Sequence, residues 1–563
     1  MSISTRLTGL FAAGLALSLT GCCFVDPGPI KPNAINRYAE TMVLRMRQQG
    51  EGPSGGPNPI EPDIRGVFDA REVDKDGKTV TVIGLSLRQA VRRALANNLD
   101  IRVMSLGPEI SREEMAQAAA VFDMVVFAGA TYSVQDERQN TVFDKTALSK
   151  TRAVQIGLRK HTTTGADLMA MYSLTRLATS SAFVTKPTTY EPNFTLEMTQ
   201  PLLKGAWPEV NLAALRVARI DRRISEEAFR ERVEAVITDV VSAYWALHVA
   251  RQALEIHEGL LAKTLKIQET VRKRELIDAH NLHTTQAEAA VAGRKALVIR
   301  ARKSVDDIED ALLQLMLGKQ APTGREIDIG LTTPPADRLF AIDGEGQVLA
   351  ALKDNSQLAQ ARLAVQAAGI NVRVAEKNLL PTLDLNASAT WMGLDRRRSV
   401  GNDQILDSKY LSYSVGLLFE YPLGNREARA AGRRARLERL QSIMNLQNVA
   451  AQIARTVNEK VREVARARQD LQVATDAVKA NQLYIKAIES REKHGGRDKP
   501  LSPEFLLNMK LQALVALGTS EQDVERAIAD YYTARIQLAQ ITGTLLSQYG
   551  VVLADVAGGP GAD

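Results

Sequence analysis

Two alternating patterns of apolar and polar positions run along this chain, one typical of long helices and one typical of strands. From Pro208 to about Glu275, apolar residues recur at three- and four-residue steps or their multiples, and no further proline interrupts them. The same pattern returns from about Arg426 to His494. At 1.5 Å per residue, each run predicts a helix about 100 Å long. Such helices exceed a compact domain and indicate an elongated molecule.

Between the helices, short segments show the two-residue period of strands. In 382–392 and in 411–421, apolar side chains alternate with polar or small ones. About ten residues with one apolar face is the pattern of a transmembrane β-strand. Strands of a soluble sandwich also alternate, but they would not be joined to helices of this length. We therefore expect these strands to enter a membrane.

The same order of elements occurs twice, which predicts an internal duplication. The helix "LSLRQAVRRALANNLDI" at 85–101 is echoed by "GQVLAALKDNSQLAQA" at 346–361. Each copy later reaches a strand that ends in proline, "FTLEMTQPLLKG" at 194–205 and "YSVGLLFEYPLGN" at 413–425. The first copy is longer, and its additional residues, mainly in 150–190, are interpreted as an extra hairpin.

The shorter helices of each copy predict a second rod beside the long one. Segments 86–120 and 280–317 would together equal the first long helix if they were stacked end to end. Segments 346–379 and 503–548 would equal the second in the same way. Each half of the chain therefore offers two parallel rods of equal length.

The only two cysteines, Cys22 and Cys23, stand together near the amino terminus. Before them, Arg6 and the apolar run 7–19 are typical of a secretory signal peptide and too short for a stable membrane anchor. The sequence "LTGC" resembles a bacterial lipoprotein signal, which implies cleavage before Cys22 and its acylation. Cys23 replaces the aspartate that retains lipoproteins at the inner membrane, which points to the outer membrane. The alternative is an ordinary signal peptide cut nearby.

Composition narrows the classes of function. The net charge of +6 arises from 71 basic and 65 acidic residues spread along the chain, which describes a solvated surface and no nucleic-acid footprint. Beyond the signal, we find no stretch of 18 apolar residues and expect no ordinary transmembrane helix, so entry into a membrane requires lipid or a β-barrel. Without a P-loop, H-E-x-x-H motif, dinucleotide fingerprint or later cysteine, the chain offers no catalytic residue or cofactor site.

His280 and His283 lie three positions apart, a spacing that could bind a metal. No third ligand is evident, and a solvated helix end is the favoured interpretation. We therefore predict no metal site.

In this order, and twice over, the motifs resemble those of the outer membrane efflux protein family, the TolC-like channel subunits. The resemblance covers about 80–550 and rests on the duplicated "A..NN..I" helix, "TQPLL" at 199–203, "YPLGN" at 421–425 and the closing "LMLG" and "ITGTLL". It implies an α+β membrane channel: a trimeric outer-membrane β-barrel continuous with a long periplasmic α-helical barrel. Each protomer of the family gives four strands to one 12-stranded barrel. Oligomerisation is also required on physical grounds, because separate hairpins cannot close a barrel and open edges are not tolerated in lipid.

The resemblance also implies a function, the exit duct of a tripartite efflux pump. The implied partners are a periplasmic adaptor protein, an inner-membrane transporter and outer-membrane lipid, with no nucleic acid. Two alternatives stay open, namely the channel of a type I protein secretion system and a coiled-coil structural lipoprotein without a pore. The last explains the rods and the lipid but leaves the alternating strands unexplained. The sequence does not identify the cargo, whether drug, metal or polypeptide, or the pump and adaptor.

Two departures from the family leave the number of strands open. Asp123 stands about where the second copy has Pro381. The extra hairpin has no place in the simplest 12-strand plan.

The predicted organisation divides the chain into six segments. They are a lipoprotein signal peptide (1–21), a lipid-anchored tether (22–79), a first repeat (80–320), a linker (321–345), a second repeat (346–550) and a carboxyl-terminal tail (551–563).

The predicted periplasmic gate lies where the paired rods turn back, at 272–284 and 491–504. Both turns are equally far along the chain from the strand-ending prolines, so they meet at the end of the tunnel away from the membrane. In similar channels this end is closed at rest by inward-leaning helices with acidic residues and ion pairs. The family's acidic pattern is not reproduced residue by residue, and the alternative is ordinary solvated loop charge. The candidates are Asp278, Arg497, Asp498 and Glu504.

Overall fold

The computed structural model describes residues 70–75, 78–138, 146–180, 185–275, 281–318, 327–335, 343–494 and 503–551. Long helices form one layer of the molecule, and a six-stranded sheet continues it where the strands join the helices. A second sheet of three short strands packs near the helix junctions. The α+β class that the sequence predicts is confirmed.

The helices, in chain order, are α1 (Leu87–Asn97), α2 (Leu99–Met104), α3 (Leu106–Ala119), α4 (Pro208–Asn211), α5 (Ala213–Glu275), α6 (Asn281–Leu317), α7 (Gly344–Asp354), α8 (Ser356–Lys377), α9 (Arg398–Leu406), α10 (Arg426–His494), α11 (Pro503–Ile541) and α12 (Leu545–Gln548). The strands are β1 (Ala70–Lys75), β2 (Lys78–Leu85), β3 (Met124–Arg138), β4 (Thr146–His161), β5 (Asp167–Thr179), β6 (Thr188–Pro201), β7 (Ile327–Leu331), β8 (Thr382–Met392) and β9 (Leu411–Glu420). A 3-10 turn, Ala120–Phe122, joins α3 to β3.

Two helices, α5 and α10, are the predicted long rods. They contain 63 and 69 residues, which corresponds to about 95 and about 104 Å at 1.5 Å per residue. Helix α5 packs against α3, α6, α8 and α11, and α10 packs against α7, α8 and α11. Four rods therefore lie side by side in the layer of one chain. Their order is α3 with α6, α5, α8 with α11, and α10. The predicted helix that starts at Pro208 is interrupted once, at Leu212, between α4 and α5.

The main core lies around the middle of α5. Tyr244 and Trp245 are fully or almost fully buried, and Trp245 stacks on Tyr532 of α11 with ring centroids 4.2 Å apart. One window of α5 is long and apolar enough to cross a membrane, which was not expected from the sequence. Because 61% of that window is buried inside the chain, core packing accounts for its apolar residues.

Asn98 joins two helices end to end. Its Oδ1 accepts hydrogen bonds from the backbone N–H groups of Asp100 and Ile101 at the start of α2. Its Nδ2 donates to the carbonyl of Leu315 in the last turn of α6, at 3.0 Å. One side-chain amide thus satisfies end groups of both helices, which otherwise lack partners. The predicted stacking of 86–120 on 280–317 has this junction as its centre.

Asn355 forms the equivalent junction in the second repeat. Its Oδ1 accepts from the N–H of Leu358 at the start of α8, and its Nδ2 donates to the carbonyl of Ile541 at the end of α11, at 2.8 Å. The asparagines that revealed the duplication in the sequence therefore make the same contact in both halves.

A glycine completes each junction. Gly318 and Gly543 have φ values of +55° and +67°, in the left-handed region. A Cβ on Gly318 would lie 2.7 Å from the carbonyl oxygen of Asn97. A Cβ on Gly543 would lie even closer to the carbonyl oxygen of Asp354. The glycines in "LMLG" and "ITGTLL" are required because the opposing backbone comes this close.

The three-stranded sheet was not foreseen in the sequence. Strand β2 pairs with β1 in antiparallel and with β7 in parallel orientation. Strand β1 of the predicted tether and strand β7 of the predicted linker therefore belong to one sheet. Arg251 of α5 bonds Glu309 of α6 and Asp328 of β7, and Glu309 also accepts from the N–H of Ile329. This ion network fixes the sheet to the helices. The predicted domain boundaries stay predictions.

Replacing Asn355 by alanine should lower the free energy of unfolding by about 2 kcal/mol, because a helix cap and a hydrogen bond to a helix end are lost together. The measurement is chemical denaturation of the purified protein followed by circular dichroism. Asn445→Ala, an exposed change on α10, is the matched control and should leave stability within about 0.5 kcal/mol. Equal effects of the two changes would contradict the role given to Asn355.

Glu234 generates a prediction for pH. This carboxyl of α5 is 3% exposed, and burial raises its pKa from the ordinary value to about 7, although Arg230 lies 3.5 Å away. A raised folded-state pKa means that the neutral form is favoured in the fold. Its stabilising contribution is therefore complete below about pH 4.5, the ordinary carboxyl pKa, and is lost as pH rises through about 7.

The wild-type free energy of unfolding should accordingly fall between pH 5 and pH 8, whereas Glu234→Gln should remove most of this fall and be the more stable protein at pH 8. Denaturation curves at several pH values test this. Glu459→Gln, at an exposed position of α10, should keep the wild-type pH profile.

Candidate channel lining

The six-stranded sheet has the order β3-β4-β5-β6-β8-β9, and every neighbouring pair is antiparallel. Strands β4 and β5 are the extra hairpin predicted in 150–190. They lie inside the sheet, because β4 pairs with β3 and β5 pairs with β6. Where the family resemblance implied four strands for each chain, the described residues form six in this sheet.

One face of this sheet is mainly apolar across all six strands. Side chains of directly paired residues lie on the same face. Ile156 pairs with Tyr172, Tyr172 with Phe194, and Phe194 with Trp391, and the rings of the last two are 5.7 Å apart. The apolar face thus continues through the inserted hairpin without a change of register. Its other members include Val126, Ala128, Ala130, Val154, Leu158, Leu168, Ala170, Leu174, Leu196, Met198, Leu385, Ala387, Ala389, Leu411, Tyr413, Val415, Leu417 and Phe419.

The opposite face is polar and is held by side-chain hydrogen bonds between strands. The Thr199 hydroxyl donates to Asn386 Oδ1 at 2.9 Å, and the hydroxyls of Ser388 and Ser414 are 2.9 Å apart. The exposed carboxylate of Glu197 lies on the same face, opposite Ser388. A surface of this composition suits water, whereas the other face suits lipid.

A charged cavity of about 560 Å³ lies where the polar face meets the helices. Arg159, Asp167 and Glu197 line it together with His161, whose Nδ1 lies 2.7 Å from Asp167 Oδ1. The ring of Phe122 stacks on His161 and fixes the strand to the end of the preceding 3-10 turn. Both signs of charge therefore lie on the polar face at the end of the strands that joins the helices.

The two edges of the sheet, β3 and β9, pair on one side only within the described residues. Every residue of β9 is exposed, including Tyr413 at 80%. The helical layer ends in the same way, because Leu437 and Val473 of α10 expose 66% and 69% of their surface. Open strand edges beside exposed apolar side chains are typical of a surface that binds another chain.

The predicted site residues fall at or beyond the limits of the described chain. Cys22, Asp278, Arg497 and Asp498 lie outside the described residues. Glu504 belongs to the first turn of α11, and its side chain is also outside the described part. The carboxyl-terminal ends of α5 and α10 and the amino-terminal ends of α6 and α11 lie away from the sheet, where the sequence analysis predicts the gate.

The charges that the structure brings together were not predicted from the sequence. Glu197 could have been found, because it alternates with threonines along β6, on the side opposite Phe194 and Leu196. Arg159 and His161 could not, since their position depends on how the inserted hairpin pairs.

Comparison with known proteins gives consistent matches. The family model described as "Outer membrane efflux protein" matches residues 166–318 and 348–544, which together are more than half of the chain. The outer membrane efflux protein BepC of Brucella suis is 24% identical over 63% of this chain and 74% of its own length. The alkaline protease secretion protein AprF of Pseudomonas aeruginosa is 24% identical over 57% of this chain and 64% of its own length. Among solved structures, the outer-membrane channel OprN has a TM-score of 0.60 at 16% identity, over 81% of this chain and 90% of that chain.

Proposed function

This chain belongs to the outer membrane efflux protein family, whose members are outer-membrane channels and not enzymes, and we propose that three copies close around one continuous tunnel. The observation that carries the proposal is the six-stranded sheet with one apolar face and two open edges. Edge β9 and helix α10 of one copy would pair with edge β3 and the α3 and α6 rod of the next. All strand edges would then be satisfied in lipid.

A trimer of six-stranded sheets makes an 18-stranded barrel. With strands about 4.8 Å apart and tilted by about 40°, such a barrel is about 36 Å across between backbones, against about 24 Å for 12 strands. Barrels of 16 to 18 strands enclose a water-filled channel. The polar face with Glu197 and Arg159 lines that water. The apolar face contacts lipid where it is not covered by α9, whose Asn402 accepts a hydrogen bond from Tyr172.

The tunnel serves as the exit duct of a tripartite efflux pump, with a periplasmic adaptor and an inner-membrane transporter at the far end of the rods. The similarity to BepC supports this function. The similarity to AprF favours the alternative, a duct for a type I protein secretion system. Purifying the native complex and identifying the transporter bound to it distinguishes the two.

Lipid on Cys22 anchors the amino terminus at the periplasmic side of the outer membrane in this proposal. The support is the "LTGC" signal after a short apolar run. Acyl chains add membrane affinity and do not form the pore, so the anchor and the channel are separate properties. The mass of the mature amino terminus tests the anchor.

In planar bilayers, the purified trimer should form water-filled pores, and Glu197→Gln should lower their preference for cations because it removes a ring of three carboxylates. The measurement is the reversal potential in a salt gradient. Glu459→Gln on α10 should leave the reversal potential unchanged. A protein that stays monomeric in mild detergent and forms no pore would contradict the proposal.

The gate is proposed at the far turns, with Asp278, Arg497, Asp498 and Glu504 around the constriction. One carboxylate per chain already forms a ring in a trimer, which concentrates cations in a narrow pore. The double change Asp498→Ala and Glu504→Ala should therefore alter single-channel conductance or cation preference, whereas Glu459→Ala should not. Wild-type conductance and selectivity in the double variant would move the gate elsewhere.

A further inference from the structure

Three basic residues stand towards the outer end of the apolar face of the inserted hairpin, at the end of the strands away from the helices. Lys150 and Arg152 belong to β4 and Arg176 to β5, and we refer to them as the basic cluster. Arg152 and Arg176 are directly paired across the two strands. Both therefore project from the sheet side by side, on the face that also carries Ile156 and Tyr172.

The height of the basic cluster follows from the strand geometry. Arg152 lies eight positions from Lys160, near the inner end of β4, which is about 26 Å along the strand and about 20 Å along the barrel axis. The exposed side chains between them on this face are Val154, Ile156 and Leu158. Since the apolar band of an outer-membrane barrel is about 25 Å tall, the basic cluster lies at its outer boundary, level with lipid head groups.

The arginines have aromatic support but no counter-charge among the described residues. The guanidinium of Arg152 lies 5.5 Å from the ring centre of Tyr132, and that of Arg176 lies 5.9 Å from the ring centre of Tyr190. The Nε of Arg176 is buried without a hydrogen-bond acceptor. No carboxylate in the described part of the chain forms an ion pair with any member of the basic cluster.

Such an arrangement is costly by itself. Like charges directly opposite on neighbouring strands destabilise a sheet, and cations beside hydrocarbon are unfavourable unless they are paired. An anion between the two guanidinium groups would remove both costs, because arginine binds phosphate through two parallel hydrogen bonds.

We propose that the basic cluster binds the phosphate of an anionic lipid in the outer leaflet of the membrane. A lipid fits better than a free anion, because Val154, the next residue below Arg152 on this face, is apolar and 56% exposed and would contact an acyl chain. The site belongs to the inserted hairpin, since the corresponding face of β8 and β9 carries Trp391 and Leu411 at its outer end. This inference rests on the proposed function, in which the apolar face contacts lipid.

The test uses the full-length trimer in mild detergent and bisphosphorylated lipid A as the probe, with bound lipid counted by native mass spectrometry. Wild type should retain lipid A, and the double change Arg152→Ala and Arg176→Ala should weaken its binding at least tenfold. Lipid A without phosphates should bind wild type as weakly as intact lipid A binds the double variant. Lys409→Ala is the matched control, because Lys409 also lies over a tyrosine ring, 5.8 Å from Tyr410, and it should bind like wild type.

A charge-preserving variant and a second probe distinguish a lipid site from a site for a free anion. Arg152→Lys with Arg176→Lys keeps the charge, so it should fold and bind at an intermediate level. Equal lipid binding by wild type and the double alanine variant would overturn the proposal. Inorganic phosphate that binds wild type as tightly as lipid A would overturn it too, in favour of a free anion. Pore conductance in planar bilayers should persist in the alanine variant, whereas its absence in wild type would contradict the proposed function instead.

Discussion

Every other feature of this molecule depends on one constraint, that each backbone N–H and C=O group of a strand in lipid needs a partner. In the described part of the chain, the six strands of the sheet leave β3 and β9 paired on one side only. The constraint extends beyond the membrane, because β3 follows α3 and β9 precedes α10. Closing the sheet therefore also brings the outer rods of two chains together. A single contact between copies joins the strands in the membrane and the helices outside it.

Most of the fold was predictable because its signals are local. Helix α10 and strand β8 have the bounds that their periods indicate, since a stripe of one period continues only while the element continues. The three-stranded sheet was not predictable, because β2 and β7 are short and lie more than two hundred residues apart in the chain. The place of β4 and β5 depended on the same kind of distant pairing. Their alternation predicted strands but not which neighbours they would take.

The two asparagine junctions show why weak motifs became informative as a set. Asn98 and Asn355 each bind two helix ends, and each needs a glycine, Gly318 or Gly543, where the opposing backbone passes. No one of these residues is distinctive alone. Their joint recurrence at equivalent positions reflects a geometric requirement, the end-to-end stacking of two short helices beside one long helix.

The inserted hairpin also changes how the two halves of the tunnel fit together. A strand about 4.8 Å from its neighbour and tilted by about 40° occupies about 6 Å of a barrel's perimeter, so six strands occupy about 38 Å. Four helical rods at the usual spacing of about 9 Å occupy about 36 Å. With four strands the membrane section would have only about 25 Å per chain, and the wall would have to taper like a funnel. Six strands give the two sections nearly equal perimeters. A cargo that passes through the helical section therefore meets no narrower opening at the membrane.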